Sequence, residues 1–236
     1  MLPADDAGSW GLIGPDHDSA VIFDLDGVIL NSDRAWDGAM RELFAECNRP
    51  WIELDPSTFA GGDNSRQWAS HLRRECGLAL AEDEILERVI SKLLRRYARC
   101  LPMAPGAREA IERLAAGYRL GLASSSPREV IAFVLARSGL DRFFVAWASS
   151  DDVTRGKPAP DVYLKACSLV GFGPSRCVAV EDSPSGIWAA RTAGLKVIVI
   201  PNTSCPLDPR SLELADLVLT SIDLLDVEAV RSVLRS

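Results

Sequence analysis

The sequence predicts an α/β protein, a parallel sheet covered on both faces by helices, with a helical insert after its first strand. Three observations predict it. From about Tyr118 onward, short β-rich apolar runs alternate with amphipathic segments of helical length, the signature of βαβ units. The runs are apolar on both faces, as in a sheet buried from both sides. A long helical stretch without a clear strand pattern separates the first such run, Ala20-Val21-Ile22, from the others.

The elements follow in order. Residues 1–19 read as a loose tail that Trp10, Leu12 and Ile13 could partly order. The first strand ends at Asp24. From Ser32 to Pro102 the chain is helical: Ile85, Leu86, Val89, Ile90, Leu93, Leu94 and Tyr97 recur at helical spacing, as do Trp68, Leu72 and Cys76. Gly61-Gly62-Asp63 breaks that stretch, and Pro102 and Pro105-Gly106 mark its return. The later strands are Arg119–Ala123, Phe144–Trp147, Cys177–Val180, Val197–Ile200 and Leu217–Leu219, with a closing helix over Ile222–Leu234. The division is a tail (1–19), a core domain (20–31 with 103–236) and an inserted helical domain (32–102). Loops at the carboxyl ends of parallel strands bind ligands, so an insert there is placed as a lid.

Composition narrows the function. At 236 residues and 47% hydrophobic, the chain can bury a sizeable core. A net charge of −7 speaks against nucleic acid as the main partner. No apolar run reaches membrane-spanning length, and the N-terminus lacks a basic apolar signal pattern. Cys47, Cys76, Cys100, Cys167, Cys177 and Cys205 form no C-x-x-C pair. They read as reduced thiols of a cytoplasmic protein rather than zinc ligands. Nothing demands a partner chain, so a monomer is expected.

Chemistry is concentrated at strand ends. In Phe23-Asp24-Leu25-Asp26-Gly27-Val28 two carboxylates stand two residues apart, on one face if the strand continues. Like charges so close require a cation or a proton. One acid to attack and one to move a proton is the requirement of metal-assisted phosphoryl transfer. Ser124-Ser125-Ser126-Pro127-Arg128-Glu129 follows the next strand. Ser126 with Glu129 reads as a capping box and Pro127 as a first helical residue. Ser124 is placed to donate to a phosphoryl oxygen at that helix N-terminus, and Ser125 and Ser126 are substrate-binding candidates beside it. Arg155-Gly156-Lys157-Pro158-Ala159-Pro160-Asp161 holds a lysine in a rigid turn, where it could neutralise phosphate charge. Glu181-Asp182-Ser183-Pro184 ends another apolar strand. It is open to two readings, oxygen ligands for Mg²⁺ and an acidic or serine helix cap.

Together these motifs resemble the haloacid dehalogenase-like (HAD) hydrolase superfamily, within it the branch of β-phosphoglucomutases and sugar-phosphate phosphatases. The resemblance runs from Ala20 to Pro201 and is weaker across the insert. It implies a Rossmann-like core with an inserted α-helical cap domain. It implies Asp24 as nucleophile, forming an aspartyl phosphate, and Asp26 as general acid and then base. Ser124 and Lys157 would hold the phosphoryl group. Asp24, the backbone carbonyl of Asp26, Asp182 and Glu181 would surround Mg²⁺. Arg66 lies where caps of this family present a substrate-binding arginine, and Arg128 could also reach a distal anion. Mutases of the branch carry a histidine near the position of Trp36, a difference that favours hydrolysis; packing in the first cap helix is the preferred reading of Trp36 itself. The expected function is Mg²⁺-dependent hydrolysis of a small phosphorylated metabolite, a sugar or polyol phosphate. A phosphosugar mutase is the alternative, then a non-catalytic phospho-ligand-binding protein. A dehalogenase would lack Asp26.

Overall fold

The structure, a computed structural model, describes residues 18–51, 65–202 and 205–236. Most of the tail and the Gly61-Gly62-Asp63 break lie outside the described residues. Six parallel strands form one sheet in the order β3-β2-β1-β4-β5-β6: β1 (Ala20–Phe23), β2 (Arg119–Ser124), β3 (Phe144–Ser149), β4 (Cys177–Glu181), β5 (Lys196–Val199) and β6 (Leu217–Val218). The order reverses between β1 and β4. In an open parallel sheet that reversal leaves a crevice at the carboxyl ends, where ligands bind.

Register aligns those ends. Phe23 pairs with Leu122 on one side and Val180 on the other, and the Asp24 N–H donates to the Val180 carbonyl at 3.0 Å. The loops after β1, β2 and β4 therefore open at one level. β1 is fully buried, with Val21 and Phe23 on one face and Ala20 and Ile22 on the other, each face feeding its own apolar cluster.

The helices are α1 (Asp33–Glu46), α2 (Ser65–Glu75), α3 (Glu82–Arg99), α4 (Ala107–Ala115), α5 (Arg128–Ser138), α6 (Asp161–Val170), α7 (Pro184–Ala193), α8 (Pro209–Glu213) and α9 (Val227–Arg235). The first four lie between β1 and β2 in the chain, the first three of them before Pro102, and no strand occurs among the described residues there. The apolar stripe read from the sequence is the buried face of α3: Ile85, Val89, Ile90, Leu93 and Tyr97 are all buried. Acidic residues in its first turn and Arg96 and Arg99 in its last turn complement the helix dipole. Among the described residues, no helix is long and apolar enough to cross a membrane.

Three local expectations change. β3 is an edge strand and exposes Val145, so its apolar faces are not both buried as those of the inner β1 and β4 are. β5 begins one residue early, at Lys196, and stops at Val199. Pro127 takes the N-cap position of α5 rather than its first turn, with no side-chain capping bond. The Ser126 hydroxyl turns away to Asp26 instead.

The insert is tied to the core at its second helix. Asp151, in a 3-10 turn after β3, accepts from the Ser65 N–H at 3.1 Å and from its hydroxyl at 2.8 Å. A carboxylate from one half of the fold thus satisfies the N-terminus of a helix in the other. Asp151→Ala should lower the local stability of α2 by about 1 kcal/mol. Amide exchange across Ser65–Glu75 should accelerate while β1 and β4 stay protected. Unchanged exchange in α2 would show that the helix does not depend on this contact.

Candidate active site

The sheet's carboxyl edge gathers the predicted residues from four loops. β1 stops at Phe23 and the chain does not continue extended to Asp26. It turns at Gly27, whose φ of +85° suits glycine. A Cβ there would stand 1.8 Å from Asp182 Oδ2, so the bare backbone also makes room for that carboxylate. Gly186 does the same at the start of α7, where a Cβ would fall 1.8 Å from Glu181 Oε1.

Lys157 sits at the centre, almost fully buried. Its ammonium donates to Asp24 Oδ1 and to Glu181 Oε1, each at 2.6 Å. Burial pushes its pKa down, but the Asp24 and Glu181 carboxylates outweigh that and raise it, so the lysine is held charged. Glu181 is saturated. Its Oε1 also accepts from the Tyr163 hydroxyl at 2.6 Å, and its Oε2 accepts from the Asp182 N–H, the Ser183 N–H and the Ser183 hydroxyl. Tyr163 also presents its ring to the ammonium, 5.1 Å from the centroid.

The cluster carries more negative charge than Lys157 can balance. Carboxylate oxygens of Asp24, Glu181 and Asp182 lie within 4.8 Å of one another, all buried. Burial, opposed by Lys157 and reinforced by Glu181 and Asp26, pushes Asp24 up to about 7. Burial, with Glu181 and Asp24, raises Asp182 well above the carboxylate range. An all-oxygen donor set with surplus negative charge fits a hard divalent cation such as Mg²⁺. With Glu181 occupied by protein donors, the acceptor capacity left for an ion lies on Asp24 and Asp182. The two readings of the Glu181–Asp182–Ser183 turn divide between residues: Ser183 caps α7 by accepting from the Gly186 N–H, while Asp182 borders the cleft.

Asp26 bridges the two halves of the fold. Its Oδ2 accepts from the Ser126 hydroxyl at 2.6 Å and its Oδ1 from the Trp36 indole N–H at 3.3 Å. Trp36 is therefore more than packing in α1. Ser124 is fully buried, its Oγ accepting from the Ser126 N–H at 3.0 Å. Asp24, Asp26, Ser124, Ser125, Ser126, Lys157 and Asp182 all line one cavity of about 350 Å³ between core and cap. Arg66 and Arg128 are not brought into it. Arg66 is exposed, 3.9 Å from Asp83. Arg128 pairs with Asp152 and stacks on Trp147 at 4.9 Å.

Sequence reasoning missed Tyr163 and the cleft-lining side chains Trp51, Trp68 and Met40. Tyr163 lies on the buried face of α6 between Val162 and Ala166 and reads as core from spacing alone.

Removing the ammonium would leave two buried carboxylates uncompensated. Lys157→Met should cost roughly 3–5 kcal/mol, about 10 °C in Tm, in metal-free buffer. An unchanged thermal transition would show that Lys157 does not hold Asp24 and Glu181 together.

Comparison with known proteins agrees with this geometry. The family model of the haloacid dehalogenase-like hydrolases matches residues 19–194. Hexitol phosphatase B of Escherichia coli K12 is 33% identical over 220 residues, covering 86% of this chain and 92% of the relative. Validoxylamine A 7'-phosphate phosphatase of Streptomyces hygroscopicus is 31% identical, covering 85% and 92%. The structure of CbbY from Rhodobacter sphaeroides with phosphate superposes with a TM-score of 0.78 at 26% identity, over 88% of this chain and 96% of that one. A mutant of the same protein with xylulose-1,5-bisphosphate gives 0.79 at 25% identity, over 89% and 99%. The strand-end carboxylates, the buried lysine and the family match converge: this chain belongs to the haloacid dehalogenase-like hydrolases.

Proposed function

We propose that this chain is a phosphatase that hydrolyses a small phosphorylated metabolite, a sugar or polyol phosphate, through a phosphorylated Asp24. The observation that carries the reading is the Lys157 ammonium, buried 2.6 Å from Asp24 in a cavity that Asp26 and Ser124 also line. The named relatives that act on hexitol and validoxylamine phosphates support the substrate class.

In the first step an Asp24 oxygen attacks phosphorus and the bond from phosphorus to the leaving oxygen breaks. Asp26 gives its proton to that oxygen. In the second, water attacks the aspartyl phosphate at phosphorus and Asp26 takes the water's proton. Inorganic phosphate leaves and the Asp24 carboxylate is restored. General acid–base help supplies roughly 10²–10⁴, against enhancements of up to ~10²¹ for phosphate monoesters. Most of the effect must come from placed charge: Lys157, the serine cluster and the positive end of α5. Asp24, Asp182 and the Asp26 backbone carbonyl would hold Mg²⁺, with Glu181 completing the acidic group. The ion would neutralise charge on the nucleophile and the phosphoryl oxygens.

Trp36 favours hydrolysis over the mutase alternative. It stands where the resemblance sets a histidine in mutases, and an indole N–H only donates, so it takes no proton from a sugar hydroxyl. In this reading the protein acts as a cytoplasmic monomer, and its six free thiols suit a reducing compartment.

Asp24→Asn should abolish phosphate release, by at least about 10³-fold, with an unchanged circular dichroism spectrum. Wild-type turnover in that variant on every phosphate ester tried would refute the nucleophile assignment. Mg²⁺ should raise the Tm of the wild-type protein over an EDTA control, and Asp182→Asn should remove most of that rise. An equal rise in both would place the ion elsewhere.

A further inference from the structure

We infer that the cleft selects phosphate monoesters whose leaving group presents an apolar or stacking face and carries no second anion. The inference rests on the phosphatase reading and deepens it. The cavity is two-sided. Its core side is polar and holds the reacting groups. Its cap side is a wall of Trp36, Met40, Trp51, Trp68, Leu86 and Ile90. Trp36 and Trp68 meet edge to face at 6.0 Å and 71°, a rigid aromatic corner. The Trp36 indole is anchored on Asp26, the acid that must reach the leaving oxygen. A leaving group protonated by Asp26 therefore lies against that corner. The C–H face of a sugar or polyol, or an aryl ring, is matched to it.

Charge supplies the exclusion. Among the described residues lining this cavity, Lys157 is the one cation, and it is engaged by Asp24 and Glu181. The cap side adds Asp33 and Asp37. Arg41, adjacent in α1, is committed to Asp37 at 2.7 Å and to the face of Trp51 at 4.5 Å. The outer groove between α3 and α5 does hold Arg95 and Arg128, but alongside Asp83, Glu87, Glu129 and Asp151. A second phosphate would meet carboxylates without an uncommitted cation, and such repulsion is how a site rejects a near-identical ligand. The neighbour from Rhodobacter sphaeroides was crystallised with a bisphosphate; the lining of this cleft points the other way.

The test is steady-state phosphate release with Mg²⁺ on two matched pairs: fructose 6-phosphate against fructose 1,6-bisphosphate, and 2-naphthyl phosphate against glycerol 3-phosphate. The expected kcat/KM favours the first member of each pair by about tenfold or more. Trp68→Ala should shrink the naphthyl preference about tenfold, chiefly through KM, and Trp68→Phe should restore most of it. A wild-type preference for the bisphosphate overturns the inference. So does a naphthyl preference that Trp68→Ala leaves undiminished, or an Arg66→Ala or Arg128→Ala loss confined to the bisphosphate. Absence of turnover on all four esters sinks the phosphatase reading itself, an outcome distinct from the wrong order of preference.

Discussion

A single buried ammonium shared by two carboxylates is the constraint on which the site depends. Lys157 lies between Asp24 at the end of β1 and Glu181 at the end of β4. Those two strands are neighbours, in register, where the sheet order reverses. Charges so deeply buried persist only when paired and hydrogen-bonded. Glu181 meets that condition with five donors, two of them backbone amides of the turn it begins. Asp24 and Asp182 meet it less completely, and their raised protonation equilibria express the deficit. Fold and chemistry are thus joined at one place. The sheet is rigid enough to hold like charges together, and their surplus negative charge suits a hard divalent cation.

Much of this was legible in the sequence because strand ends are legible. Val178-Ala179-Val180 and Ala20-Val21-Ile22 read as buried strands, so acids following them at once had to lie at a sheet end. The same logic located Ser124, whereas Lys157 was singled out by the proline-fixed turn around it. What was not legible depends on the third dimension. Ser126 followed by Glu129 has the spacing of a capping box, but a carboxylate from a distant loop offers its hydroxyl a stronger partner. Tyr163 carries a phenol on a helix face that is otherwise core, and spacing does not reveal that Glu181 lies above it. Val145 looked like its neighbours because a run of apolar residues does not say which strand ends up at the edge.

The insert completes what the core cannot. In the proposed reading the core loops hold the phosphoryl group, which every phosphate ester shares, so discrimination must come from surfaces that touch the leaving group. Those surfaces belong to α1, α2 and α3, and they are largely apolar and aromatic. The polar capacity of the cap goes elsewhere: Lys92 and Arg88 to Glu46, Arg96 to Glu42, Arg66 to Asp83. These pairs tie helices of the cap to one another and leave the cleft's cap side to indole, aliphatic carbon and the acids Asp33 and Asp37.

Asp26 is where the two halves act as one. Its carboxylate is gripped from the core by Ser126 and from the cap by Trp36. A general acid must point at the oxygen it protonates, and an error of about an ångström costs about a hundredfold. The Ser126 bond alone would let the carboxylate pivot about one oxygen, whereas a second donor on the other oxygen fixes its plane. That second donor belongs to the wall against which the leaving group must lie. In the proposed mechanism, recognition of the leaving group and delivery of its proton share one side chain, so a change in the tilt of α1 would alter both together. A cap that only shielded the cleft from water would have no such contact. The Trp36–Asp26 bond thus makes the cap a participant in orienting the acid as well as a cover over it.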